Sequence, residues 1–255
     1  MAFIRLFIII TALFFLQLST QAQNIAYGLK GGLTTGTPYS KPKEGDSGKA
    51  ETGPVLGVFL KYSLYKHFDI LAELSYSNKS ASFRTHVSGD TIYPKEILGV
   101  TYYIPTSYAG WVNGNFDNYY IDIPVMLAYK TGKRFNILAG PQVSYLLKGK
   151  NTGTADIAVG KDPNYPYTTV KDRPFDESDQ LNKWDYSFVC GINYEATRRL
   201  FFNFNSSYGL RSIYKKSYTM AGGTVRNIYL QLSTAYRIDK IKDNPYNETP
   251  NTVIQ

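Results

Sequence analysis

A single cysteine and two histidines are all that the 255 residues hold of the side chains that make disulfides and soft metal sites. One cysteine cannot close an internal disulfide, which excludes a small stapled scaffold. His67 and His86 are too few for a histidine-rich metal centre, so we expect no metal and no cofactor. Long apolar runs are also missing. After Gln23 no window reaches the roughly 18 consecutive apolar residues of a transmembrane helix, and the mean hydropathy is −0.27. Clustered basic residues are absent as well. The net charge is +8 and the pI about 9.3, yet the lysines and arginines are dispersed, so we expect no nucleic-acid partner. Attraction to anionic lipid headgroups is the better account of the charge.

The one apolar run that exists stands at the start. Met1 to Arg5 carries a positive charge, Leu6 to Leu18 is apolar, and Ser19 to Gln23 is polar and small. That order is the layout of a secretory signal peptide, with Thr20 and Ala22 at the small positions before a cut. We expect a cleaved leader over residues 1–22 and Sec-dependent export. The 23 tyrosines and 14 phenylalanines that follow suit a chain meeting lipid at two interfaces, where aromatic rings collect.

Period-two alternation carries the fold class. Tyr119, Ile121, Ile123, Val125, Leu127 and Tyr129 alternate with a row that includes Asp122, Pro124, Ala128 and Lys130, and Trp184, Tyr186, Phe188, Cys190, Ile192 and Tyr194 with Asp185, Ser187, Val189, Gly191, Asn193 and Glu195. Successive side chains on opposite faces mean strand rather than helix. Six more runs repeat the pattern, around Tyr27–Leu33, Leu56–Tyr62, Phe68–Tyr76, Phe135–Tyr145, Phe202–Leu210 and Ile228–Ile238. Eight runs predict an all-β, eight-stranded antiparallel up-and-down transmembrane β-barrel over 23–238. The connections alternate in length. Long ones near 35–54, 85–118, 151–183 and 212–224 are expected as extracellular loops, and short ones near Tyr65–His67, Thr131–Lys133 and Ala196–Arg199 as periplasmic turns. A strand of about 11 residues tilted about 45° covers about 26 Å, near the apolar band of such barrels. The expected location is the cell outer membrane, with lipid and lipopolysaccharide around the barrel.

The runs Tyr27 to Gly32 (YGLKGG), Leu71 to Ser77 (LAELSYS), Tyr120 to Pro124 (YIDIP), Leu138 to Pro141 (LAGP) and Tyr208 to Leu210 (YGL) resemble the landmarks of the PorT-family outer membrane protein beta-barrel domain of the Bacteroidetes lineage. The resemblance implies a small barrel of the OmpA/OmpX type, in a family whose namesake serves a secretion system. Such barrels tend to end on an aromatic residue read by the barrel-assembly machinery. This chain continues from Asp239 to Gln255, expected as a periplasmic tail, which leaves Tyr236 as the nearest such aromatic.

The candidate functional residues fall into three groups. Lys30, Lys61, Glu73 and Asp122 share the inward parity, and two lysines on neighbouring strands are expected to meet Glu73 in a lumen charge network, with Asp122 and Gln142 farther up. An eight-stranded barrel is narrow enough to be filled by side chains, and a charge inside it must be paired or hydrated. Tyr102, Tyr103, Tyr108 and Trp111, with Tyr93, Tyr165 and Tyr167, could form a contact surface or continue the interfacial girdle. His86, Ser88 and Asp90 hold the residue types of a nucleophile, a base and an orienting carboxylate, but spacing in a loop fixes no distance between them. Asp90 to Ile92 resembles a short O-glycosylation acceptor of the same lineage, and Cys190 reads as a small hydrophobe. The expected function is a non-enzymatic barrel with a filled lumen, its loops serving contact or envelope integrity. A small pore or secretion-associated barrel is the alternative, and an outer-membrane enzyme stands behind it.

Overall fold

The computed structural model describes residues 25–40, 45–97, 100–160, 168–217 and 224–239. The expected leader lies outside them, as does the expected tail beyond Asp239. Among the described residues nine strands form one antiparallel sheet: β1 (Ile25–Tyr39), β2 (Ser47–Tyr65), β3 (Phe68–Ile97), β4 (Val100–Lys130), β5 (Phe135–Gly160), β6 (Thr168–Asp176), β7 (Trp184–Glu195), β8 (Leu200–Gly209) and β9 (Arg226–Arg237). Eight of them close a ring, in which β4 pairs with β5, β5 with β7, and β9 returns to β1. The ninth, β6, takes the edge of β5 above β7 and continues the wall there, from Thr152↔Asp176 to Val159↔Thr168. Closure gives every ring strand a neighbour on both sides, the condition for putting β-structure into hydrocarbon, where an unpaired backbone group finds no water.

The ring is inside out relative to a water-soluble barrel. Its outward row stays exposed, with Leu29 at 56%, Leu56 at 62% and Leu232 at 62%, while Asp69, Ser144 and Asn118 on the inner face are fully buried. An apolar surface of this extent is stable only against lipid. Two levels of paired aromatic rings bound it. Phe68 meets Tyr129 at 5.2 Å and Phe135 meets Tyr194 at 4.9 Å near the short turns. Tyr76 meets Tyr119 at 5.9 Å and Tyr145 meets Trp184 at 4.9 Å at the other level. Ten residues separate Tyr119 from Tyr129, and ten separate Phe135 from Tyr145. At about 3.3 Å per residue and about 45° of tilt this is about 23 Å, close to the roughly 25 Å band that lipid requires.

Beyond the upper ring level three strands do not stop, although β7 begins there at Trp184. β3, β4 and β5 run for 30, 31 and 26 residues, so much of what the sequence suggests as loop over 35–54, 85–118 and 151–183 is hydrogen-bonded strand. The reason is physical. Above the membrane both faces meet water, so the outward apolar row that marks a strand in sequence ends, while ladder bonds to a neighbour continue to hold the chain extended. The β3–β4 hairpin pairs as far as Ile97↔Val100, well above the last β4–β5 pair at Ser107↔Gly160.

Candidate functional site

The interior of the ring is stacked in layers, which follow from the order of inward residues on each strand. At the short-turn end Lys61 Nζ lies 2.8 Å from Glu195 and 3.2 Å from Asp69, and Lys130 Nζ lies 2.8 Å from the other Asp69 oxygen. Asn136 donates to Asn193 at 2.8 Å and to Glu195 at 3.1 Å, and Asn193 donates to Asn203 at 2.6 Å. Above this polar floor sits an apolar layer in which Phe59, Leu71, Met126, Leu138, Val189 and Phe201 pack together. Phe59 and Phe201 meet edge to face at 6.1 Å.

The second charged layer is deeper. Lys30 donates to Glu73, with both side chains buried. Lys30 sits opposite Gly57 of β2, and Glu73 opposite Phe59, the next inward position of that strand. Because Gly57 has no side chain, Lys30 can cross β2 to reach β3. A Cβ there would come within 2.4 Å of the Leu74 carbonyl oxygen, so the close approach of β2 and β3 also requires glycine. Lys79 Nζ donates to Asp122 Oδ1 at 2.8 Å and lies 4.5 Å from the centre of the Tyr120 ring. Ser77 and Ser144 each donate to Asp122 at 2.6 Å, and Gln142 at 3.4 Å. Asp122 thus holds a cation and three neutral donors, the arrangement that makes a buried charge tolerable. The void left in this layer is about 20 Å³, room for a water or two.

An apolar cap closes the stack. Phe116, Tyr120 and Leu146 from the ring pack against Leu181, Ile213, Tyr214 and Val225, which the β6–β7 and β8–β9 connections fold into the mouth. The backbone ties those connections together, with Asn182 N–H donating to Ile213 at 2.7 Å and Lys215 N–H to Gln180 at 2.8 Å.

These contacts rearrange the residues read from the sequence. Lys30, Glu73 and Asp122 all lie in the second charged layer, but Lys61 does not join Glu73. It sits in the floor below the apolar layer, where Asp69 and Glu195 are nearer partners. Lys79, the partner of Asp122, escapes the sequence reading because the apolar alternation of the third run fades after Tyr76, although the count of odd inward positions carried on from Ser75 reaches it. Tyr103 is exposed at 72%. Tyr108 lines a cavity above the cap. Trp111 lies 4.6 Å from the Arg84 guanidinium and 5.2 Å from the His86 ring. The side chains of Tyr93 and Tyr102, and all of Tyr165 and Tyr167, lie outside the described residues. His86 and Asp90 face separate neighbours: the His86 ring packs against Trp111 while its backbone N–H donates to Asp46 at 2.9 Å, and Asp90 accepts from the Ser107 hydroxyl at 2.9 Å. Cys190 is outward and exposed.

The cavity above the cap measures about 620 Å³ and lies between the water-side ends of β1 to β6. Two carboxylates on its rim differ in character. Hydrogen bonds from the Ser178 hydroxyl and N–H hold Asp176 below the ordinary carboxylate range. Burial, with Asp176 alongside, pushes Glu177 above it.

The sequence model of the family described as outer membrane protein beta-barrel domain matches residues 21–215. No curated protein matches the sequence. Among solved structures, the chain is similar to Ail, the attachment invasion locus protein of Yersinia pestis, at 8% identity and TM-score 0.41, over 85% of this chain and 99% of that one. It is similar to Neisserial surface protein A at 10% identity and TM-score 0.38, over 84% and 97%. OprG from Pseudomonas aeruginosa gives 13% identity and TM-score 0.36, over 85% and 97%. Likeness at this level says nothing of function.

Proposed function

From the premise that this chain belongs to the outer membrane protein beta-barrel domain family, we propose that it is a non-enzymatic barrel with a filled lumen, whose water-side hairpins serve contact or envelope integrity. The observation that carries the reading is the stack: polar floor, apolar layer, charged layer and apolar cap leave a void of only about 20 Å³ in the charged layer. Passage of a solute would require parting both apolar layers and breaking ion pairs between them, which costs far more than thermal energy. In this reading the short turns face the periplasm and the long hairpins face outward, among lipid and lipopolysaccharide. The PorT-type runs support a place in that branch, and with it a partner in the envelope.

Planar-bilayer recording tests this. The filled barrel should give no stable conductance steps after reconstitution. Reproducible steps that change in size when Lys79 or Asp122 is replaced would overturn it in favour of a pore.

A further inference from the structure

The cavity above the cap lies on the water side of the membrane band, yet its walls are apolar. Phe83, Val112, Phe116, Ala155, Ile157 and Phe175 face into about 620 Å³ of space. They come from β3, β4, β5 and β6, so the ninth strand supplies one wall. Phe116, Tyr214 and Val225 belong to both the cavity and the cap, which makes the cavity a blind cup with a sealed floor. Nothing about the membrane demands this. Strands in water on both faces need no inward apolar row. The walls also carry polar groups, Thr37, Thr85 and Asn151 among them, which can orient a guest. The volume falls in the range of about 300–1,000 Å³ that small-molecule sites occupy, with a largely apolar lining interrupted by polar groups.

The rim decides the charge of the occupant. Arg84 is drawn over the Trp111 ring at 4.6 Å. Asp46 accepts from the Thr85 hydroxyl at 3.0 Å and the His86 N–H at 2.9 Å, and Asp176 accepts from the Ser178 N–H at 3.0 Å and hydroxyl at 2.5 Å. These contacts hold the charges in place, and in sum Arg84 and Arg173 stand against Asp46, Asp176 and Glu177, so the lining is close to balanced in sign. Selection therefore rests with the walls rather than with a net charge.

We propose that the cup between the hairpins binds a small, uncharged, largely apolar molecule of aromatic dimensions. This goes beyond the contact role above and stands apart from it, since a blind cup can bind whether or not the lumen conducts.

The test uses the full barrel in lipid nanodiscs with Trp184→Phe, which leaves Trp111 as the only tryptophan, since the chain has two. N-phenyl-1-naphthylamine is the uncharged probe, and its sulfonated analogue 8-anilinonaphthalene-1-sulfonate is the anionic one. Energy transfer from Trp111 to the uncharged probe should saturate and should survive Arg173→Ala. Filling the cup with Val112→Phe and Ala155→Phe, which are paired across β4 and β5, should weaken binding by about tenfold or more. Ile157→Lys places a charge in the wall and should give the same loss through a different perturbation, with heat-modifiable gel migration confirming a folded barrel in each case. Transfer that never saturates, or that neither change reduces, overturns the site. An anionic probe that binds about tenfold more tightly than the neutral one overturns the uncharged ligand class. Conductance with probe binding intact would refute the filled lumen and leave this site standing.

Discussion

Lys79 and Asp122 meet across the β3–β4 pair at 2.8 Å, both almost wholly buried, with the face of the Tyr120 ring 4.5 Å from the lysine ammonium. Removing one partner strands the other charge in a site whose remaining donors were arranged for a carboxylate. Asp122→Ala should therefore cost about 3–5 kcal/mol. Lys79→Met combined with Asp122→Asn should recover much of that loss, because no unpaired ion remains. Urea titration of folding into lipid vesicles measures both on one scale.

The two inward lysines of β1 and β2 should behave independently. Lys30 bonds Glu73, while Lys61 is one layer lower with Asp69 and Glu195. A double-mutant cycle between Lys30→Met and Glu73→Gln should show coupling of about 0.5–3 kcal/mol. The cycle between Lys61→Met and Glu73→Gln should be close to additive. Strong coupling in the second cycle would mean that the apolar layer between them is absent in the folded protein.

On the lipid face, the aromatic levels at Tyr119 and Tyr129 put the midplane near Ile123 and Val125. Ile123→Arg should cost about 2–4 kcal/mol, and Leu127→Arg, nearer the ring level, distinctly less. Equal costs at the two depths would show that the band has been placed wrongly.

How far the sequence reveals this architecture depends on what each strand faces. In the lipid band the outward row is continuously apolar while the inward row is mostly polar or small, broken by single apolar residues such as Met126 and Val189, so Tyr119–Tyr129 and Trp184–Tyr194 can be read directly. Above the band that contrast ends, and β3 beyond Arg84 looks like loop although it is paired to Ile97. β6 is hidden by Pro174 and by Asp172, whose φ of 52° breaks the extended run. The charged layer was half visible: parity marks Lys30, Glu73 and Asp122 as inward, but which lysine meets which carboxylate depends on the stagger between strands, and that is set by closure of the ring. The apolar cap leaves no mark in the sequence, because Leu181, Ile213 and Tyr214 stand in connections with no periodicity.

Acid should loosen the seam where the barrel closes. Burial alone would raise the Asp239 carboxyl, but hydrogen bonds from Arg237 and the Tyr27 N–H, with the charge of the guanidinium, hold it below the ordinary carboxylate range. A carboxyl lowered on folding contributes stability above its unfolded pKa of about 3.9 and loses it as pH falls through the folded value. Asp239→Asn should lack that contribution at neutral pH, by less than about 1 kcal/mol, and should lose less stability between pH about 5 and about 2. Parallel acid titrations of the two refolded proteins would check this.

Orientation can be read on intact cells. An epitope inserted at the hairpin tip between Ile97 and Val100 should be bound by antibody, and one at Gly132, where a side chain would meet open space, should not. The reverse pattern would put the short turns outside.

Between Tyr119 and Tyr120 of β4, the partners on β5 jump from Lys148 to Leu146, leaving Leu147 as an extra residue. Below it the even residues of β5 face inward, Leu138 and Ser144 among them; above it the odd ones do, including Asn151 and Ala155. The chain thereby carries two reading frames along one strand, one addressed to lipid and one to the cup. Mutational drift in the upper frame, including paired insertions in the hairpins, can reshape the pocket while every lipid-facing residue keeps its phase. The membrane portion acts as a fixed base on which the upper portion can diversify.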